Sequence, residues 1–344
     1  MTTQTVVRPS IVETTGLKIP VTIQGAGFAV PSQIVTNDEL SEKFNTTDQW
    51  IQEKTGIKER RYLEDGRTTS DLCIEASLEA IAKAGIQPGD LDAIIITTTT
   101  PDQCLPSTAM IIKDALGATR AMPIDLNQAA CAGGIYSILI GSHLLQNEHM
   151  NNVLVIGAEI LSRIMDPTDR STSVFFGDAA GAVVLQKTSE GYGLLAWDVD
   201  SKLNDAVKIV GGGATPLPEG ETLESGQYIK MNGREVWNVA TEAIPSSIRN
   251  VVKKANLTIE DIDHFLIHQA NVNIVRAALE ELQVPEDKTT FTVHEYANTG
   301  SATLFSVLYK ALQEQRINEG DTIVFSAIGA GFLWGSLCLK YINN

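Results

Sequence analysis

GIQPGDLDAIIITTTT (Gly85 to Thr100) and NLTIEDIDHFLIHQAN (Asn256 to Asn271) lie half a chain apart and are built alike. Each runs from a short polar turn, through two acidic residues flanking an apolar one, into a stretch of branched apolars. Counted from the acidic pair, Thr97 falls opposite His268. Near-continuous branched apolars predict strands covered on both faces, because a half-exposed strand would alternate apolar with polar.

The likeness continues beyond these segments. A helical stretch follows in each, STAMIIKDALG (107–117) and VNIVRAALEELQV (272–284), and then a predicted strand, AMPIDLN (121–127) and TTFTVHEY (289–296). A long helix next starts at small residues, AACAGGIYSILIGSHLLQ (129–146) and ANTGSATLFSVLYKALQ (297–313), before the closing strands NVLVIGAE (152–159) and DTIVFSAIGAG (321–331). Strand, helix, strand, helix, strand occurs twice, which predicts an α/β fold of two pseudo-symmetric halves with largely parallel sheets. The halves are expected over residues 19–190 and 191–344, after a loose tail over 1–18. Counted back from the closing strands, Cys131 falls close to opposite Asn298.

Composition bounds the function. With 344 residues, 43% hydrophobic, the chain can bury a large core. Its net charge of -16 opposes a nucleic-acid partner, which needs a basic surface. The densest basic cluster, KTGIKERRY (54–62), is either a solvated turn or an anion contact. Cys73, Cys104, Cys131 and Cys338 form no CxxC, so neither a disulfide framework nor a zinc ribbon is expected, and a reducing cytoplasm suits them. No export signal and no membrane span are expected, since the first residues lack a basic start before an apolar stretch and nowhere do about 18 apolar residues run together.

Three residues carry candidate chemistry. Cys131 sits where a strand passes to a helix, a place where free N–H groups and the helix dipole favour the thiolate. Ala130, Ala132, Gly133 and Gly134 clear space around it. A free cysteine is also commonly a small buried hydrophobe. His268 opens HQAN at a strand's carboxyl end, where α/β sheets hold ligands, and an imidazole there can be acid, base or donor. Asn298, in YANTGSAT, could equally be a helix cap. What favours all three is their coincidence at symmetry-related element ends. His143, His149, His264 and His294 read as structural, and no pair has metal-ligand spacing. GAGFAVPS (25–32) has Pro31 where a dinucleotide-binding helix would continue, and VGGGATP lacks a following Gly-Lys-Ser/Thr, so neither is a nucleotide loop.

With AACAGG at Cys131, HQAN at His268, ANTGSA at Asn298, TDQWIQEKTGIKERR at Trp50, DPTDRSTSVFFGDAAGA over 166–182 and GAGFLWGS near the C-terminus, the chain resembles the thiolase-fold condensing enzymes, most closely β-ketoacyl-acyl-carrier-protein synthase III. The resemblance implies a five-layered α-β-α-β-α core and decarboxylative Claisen condensation. Cys131 would hold the acyl group as a covalent intermediate. His268 and Asn298 would hydrogen-bond the carbonyl of a malonyl-type thioester, and the backbone N–H groups of Cys131 and Ala330 would form the oxyanion hole. It implies coenzyme A thioesters as substrates, with no metal or other cofactor. Trp50 would stack on the adenine, with Thr46, Lys54 and Arg170 near the phosphates, Trp237 and Asn271 along the pantetheine, and Leu105 reaching the partner's acyl pocket in a homodimer.

Departures from the family pattern matter as much. Asn273 stands five residues after His268, where carrier-docking members usually have arginine; Glu280 and Glu281 replace a lysine pair; Asn238 replaces a lysine and Lys54 an arginine. These changes point to a specialised synthase III-like enzyme whose extender is on coenzyme A or on a carrier docked differently. Acyl transfer from Cys131 to an oxygen or nitrogen nucleophile is the alternative, and a silent acyl-binding partner protein a further one. An ordinary thiolase would have a second cysteine in the C-terminal glycine loop, which here is Ile328-Gly-Ala-Gly.

Overall fold

A computed structural model describes residues 16–127 and 130–342. Within the strand Ala93–Thr97, Ile94 and Ile96 point to one side and Ile95 to the other, and all three are buried. Both faces of its sheet are therefore covered, as the unbroken apolar run requires. The first sheet has the order Val21–Ala29, Asp178–Lys187, Asn152–Ile160, Ala93–Thr97, Met122–Leu126. The second has the order His264–Ile267, Thr322–Gly329, Leu333–Lys340, Gly193–Ser201.

Five layers result. The helices Gly133–Leu144 and Thr303–Gln313 lie between the sheets, where Ile135, Ile138, Leu304 and Phe305 meet Val153 and Val155 of one sheet and Leu266 and Phe325 of the other. Outside the first sheet, Leu72 and Ala76 of Thr69–Lys83 and Ile112 of Thr108–Leu116 cover Ile94, Ile96 and Leu154. Outside the second, Ile244 and Ile248 of Gly233–Lys254 and Val275 and Leu279 of Val272–Leu282 cover Phe265, Ile267 and Val324. Each of these valine, leucine, isoleucine and phenylalanine side chains, fully buried, is worth about 1.5–3 kcal/mol of transfer free energy.

The repeat is visible bond by bond. The Gln87 N–H is capped by Asp90 at 2.9 Å as Thr258 N–H is by Asp261 at 2.8 Å. Asp92 N–H donates to Asn152 O and Asp263 N–H to Thr322 O, both at 2.9 Å. Thr97 and His268 consequently stand at equivalent strand ends.

Three expectations are corrected. The sheets are mixed rather than largely parallel: Ala93–Thr97 runs parallel to both neighbours, but Asp178–Lys187 is antiparallel to both of its own, and in the second sheet only His264–Ile267 and Thr322–Gly329 are parallel. The closing strand in each half is followed by an antiparallel return, which needs no crossover helix. TTFTVHEY is not a strand: only Thr289 bridges to Phe265, and Val293–Tyr296 is a short helix that buries Val293 and lets the His294 ring bond Gly56 O at 2.6 Å. Finally, Leu17 and Lys18, expected within a loose tail, are held against the fold. Residues 1–15 lie outside the described part, yet Leu17 packs on the core and the N–H groups of Lys18 and Ile19 both donate to Gln146 Oε1 at 2.9 Å.

Glycines let the second central helix press on the first sheet. A Cβ on Gly181 would lie 2.3 Å from the Phe305 Cβ, and one on Gly157 would lie 2.5 Å from Ser301 O. Gly181→Ala should therefore force the helix away, lowering stability by about 1–3 kcal/mol. A clearly reduced midpoint in thermal denaturation followed by circular dichroism is expected, and an unchanged midpoint would contradict the close approach.

Candidate active site

Both central helices begin with a single 3-10 turn, Ala130–Ala132 before Gly133 and Gly300–Ala302 before Thr303, and the two turns touch. By this alignment the residue opposite Cys131 is Ser301, and Asn298 lies three residues earlier. The near-match of Cys131 with Asn298 is thus a match of neighbourhoods. The backbone is strained just before each: Ala130 has φ 42° and Ala297 φ 59°, a region that alanine pays to enter.

Cys131, His268 and Asn298 line one cavity of about 700 Å³. Asn298 is buried, and its amide is oriented by the Gly300 N–H, which donates to Oδ1 at 2.9 Å and leaves Nδ2 for the cavity. His268 contacts the hydroxyl of Thr303 through Nδ1, and burial pulls its pKa down to about 3, so the ring is neutral.

The thiol departs from expectation. Burial, followed by the nearby Glu159 carboxylate, pushes Cys131 up to about 12, while its own backbone N–H acts in the opposite direction. A short turn in an apolar cavity desolvates the sulfur more than the helix start favours the thiolate.

Glu159 was not singled out from sequence. It is the next-to-last residue of the Asn152–Ile160 strand, lines the same cavity, is buried, and accepts from Thr99 N at 3.0 Å, Thr99 Oγ1 at 2.7 Å, Thr100 Oγ1 at 3.2 Å and Ser301 Oγ at 3.1 Å. Burial raises it to about 7 against these donors. The available signal was a lone acid at the carboxyl end of the otherwise apolar NVLVIGAE.

The remaining candidates divide between cavity and rim. Trp50, Lys54, Trp237, Asn271 and Ala330 line the cavity. Thr46 and Arg170 do not, but Arg170 lies over the Trp50 ring at 4.9 Å and donates to Asn45 O at 2.5 Å, beside Thr46. Leu105 is 84% exposed and away from the cavity.

Residues 124–202 match the family model 3-oxoacyl-[acyl-carrier-protein (ACP)] synthase III and residues 252–341 its C-terminal model. Beta-ketoacyl-[acyl-carrier-protein] synthase III 1 of Halalkalibacterium halodurans is 40% identical over 319 residues, 93% of this chain and 98% of that one. The synthase III of Staphylococcus aureus strain Newman is likewise 40% identical over the same shares. The chain belongs to the 3-oxoacyl-[acyl-carrier-protein] synthase III family. The crystal structure of the Aquifex aeolicus VF5 synthase III matches with a TM-score of 0.87 at 35% identity, over 93% of this chain and all of that one. Membership makes this chain a thiolase-fold β-ketoacyl synthase of the acyltransferase class, whose reaction is decarboxylative Claisen condensation.

Asn273 has a structural role in this chain. Its Nδ2 donates to Glu53 O at 3.2 Å and Lys54 O at 3.0 Å, and Asn271 Nδ2 also reaches Lys54 O at 2.9 Å. Two amides thus hold Val272–Leu282 to the helix Asp48–Thr55 that carries Trp50.

Glu159→Gln keeps one oxygen to accept from the Thr99 and Thr100 donors, turns an NH2 toward Ser301 Oγ, which can accept it and donate to Thr97 O instead, and removes the negative charge near Cys131. Peptide-resolved mass spectrometry of iodoacetamide labelling, needed because the exposed Cys104 also reacts, should show Cys131 labelled several-fold faster at pH 8 in the variant. Below about 7 the wild-type carboxyl is protonated and the difference should close. Equal rates at both pH values would refute the coupling.

Proposed function

We propose that Cys131, His268 and Asn298 perform the condensation in this chain, with an acyl-coenzyme A primer and a malonyl-type extender. The orientation of Asn298 supports this best: it offers the cavity an N–H donor, for which acyl transfer to oxygen or nitrogen has little use. Cys131 attacks the primer carbonyl, the primer's C–S bond breaks, and coenzyme A leaves as the thiol. The extender then loses carbon dioxide while His268 and Asn298 hold the enolate oxygen. Its carbon bonds to the acyl carbonyl, and the Cys131 thiolate departs and takes up a proton. The N–H groups of Cys131 and Ala330 receive the oxyanion. No metal or redox cofactor enters this scheme.

Coenzyme A would enter between Trp50 and the rim cations Lys54 and Arg170, with Thr46 beside them, and thread past Trp237 and Asn271. A homodimer is supported by the edge strand Met122–Leu126, unpaired along one side among the described residues, and by exposed Leu105, Met110 and Met122. A cytoplasmic setting agrees with four free cysteines. Among the described residues no helix is long and apolar enough to cross a membrane.

The extender's carrier is the specialised feature. Asn238, Asn273, Glu280 and Glu281 supply no cation to an acidic carrier protein, which favours coenzyme A thioesters or different docking. Efficient turnover with the host's fatty-acid carrier and no preference for coenzyme A thioesters would refute it.

For the chemistry, incubation with acyl-coenzyme A should add the acyl mass to Cys131. Carbon dioxide release from malonyl-coenzyme A should drop about 10²-fold or more in His268→Ala and Asn298→Ala, yet persist in Cys131→Gln. No adduct on the wild type, or release indifferent to His268 and Asn298, would sink the assignment.

A further inference from the structure

Nδ1 of the buried His268 faces the hydroxyl of Thr303, the buried first residue of the second central helix. A neutral imidazole has one ring proton and a hydroxyl has one, so two arrangements exist. Either the ring donates from Nδ1 and shows the cavity a bare Nε2, or the hydroxyl donates to Nδ1 and the ring shows the cavity an N–H.

The surroundings separate the two. In the first, the hydroxyl proton must go elsewhere, and the acceptor in reach is Gly300 O, 3.2 Å away and beyond the usual O–H···O range. That carbonyl already receives the backbone N–H of Thr303 itself and does not need the hydroxyl. In the second arrangement Gly300 O keeps its backbone donor, and Nδ1 gains one in a desolvated place where an unmatched acceptor is costly.

We infer that Thr303 is a positioning residue whose hydroxyl donates to His268 Nδ1, fixing the ring proton on Nε2 so that the ring meets the substrate carbonyl as a donor. The 3-10 turn and the first helical residue after it thereby set both donors. Gly300 N–H occupies the acceptor end of Asn298, and the Thr303 hydroxyl occupies the acceptor nitrogen of His268. The kinetic consequence rests on the role proposed above for His268; the tautomer itself does not.

The test uses the full-length protein labelled with ¹⁵N-histidine, with the His268 signals assigned by their loss in His268→Ala. Long-range ¹H–¹⁵N spectra should show Nε2 protonated and Nδ1 bare. A protonated Nδ1 in the wild type overturns the inference whatever the kinetics. Thr303→Val keeps the side chain's shape and removes the hydroxyl; it should release the tautomer preference and slow carbon dioxide release from malonyl-coenzyme A about 10²-fold. Acylation of Cys131 should continue at the wild-type rate, and Thr303→Ser should restore both tautomer and decarboxylation. Decarboxylation at the wild-type rate in Thr303→Val also overturns the inference. If the wild type released no carbon dioxide, the proposed role of His268 would fail, and the spectrum would still decide the tautomer.

Discussion

The Ser301 hydroxyl ties the two halves together where the chemistry is. It lies in the turn that opens the second central helix, and its oxygen meets Thr97 O at 3.0 Å and Glu159 Oε1 at 3.1 Å, both in the first half. Gly157 makes room for its backbone. Asn298 stands three residues before Ser301 and Thr303 two after, so this buried contact sets where both can point. Neither half alone holds the site, because Cys131 belongs to one side of the contact and His268 and Asn298 to the other.

A buried carboxylate at such a joint has a cost that its four donors offset in part. Thr99 and Thr100 come from the loop after the first half's strand, and Ser301 from the second half, so the acid is satisfied only when both halves are assembled. The same acid works against the thiolate of Cys131. The position therefore serves assembly and opposes the resting thiolate, which would suit the role proposed for Cys131, attack on a bound thioester by a thiol otherwise kept protonated.

Much of this arrangement was legible before any coordinates. The acidic pairs Asp90/Asp92 and Asp261/Asp263 gave the repeat its frame, because a capping turn followed by a buried strand has a fixed length and brings Thr97 and His268 to equivalent ends. Segments whose structure depends on partners elsewhere were not legible. TTFTVHEY has strand-forming residues, but Val293 is drawn into the cluster beneath Trp50 and His294 onto Gly56, so packing overrides local preference. The thiol's environment was misjudged for a similar reason. A helix start is visible in sequence, whereas the desolvation that outweighs it comes from residues distant in the chain. Thr303 looked like any residue opening a helix, and only the ring placed against it gives its hydroxyl a meaning.

On the roles proposed above, reaction and partner selection would occupy separable layers of the molecule. Around the cavity Asn298 is held by the Gly300 N–H and His268 by the buried Thr303 hydroxyl, contacts that long-range charge hardly affects. On the helix Val272–Leu282 two of the three charges are paired within the chain, Arg276 with Glu286 at 2.8 Å and Glu281 with Arg249 at 2.9 Å, and Glu280 has no ion pair among the described residues. Exposed pairs of this kind add little stability, about 0–1 kcal/mol, but they engage Arg276, the helix's one cation, while Glu280 keeps this face acidic. Where a cation would steer that encounter, Asn273 braces two helices near the entrance. Substitution at the rim can therefore change which thioester arrives without disturbing the donors that receive it, since electrostatic steering acts on encounter while the catalytic donors act after docking.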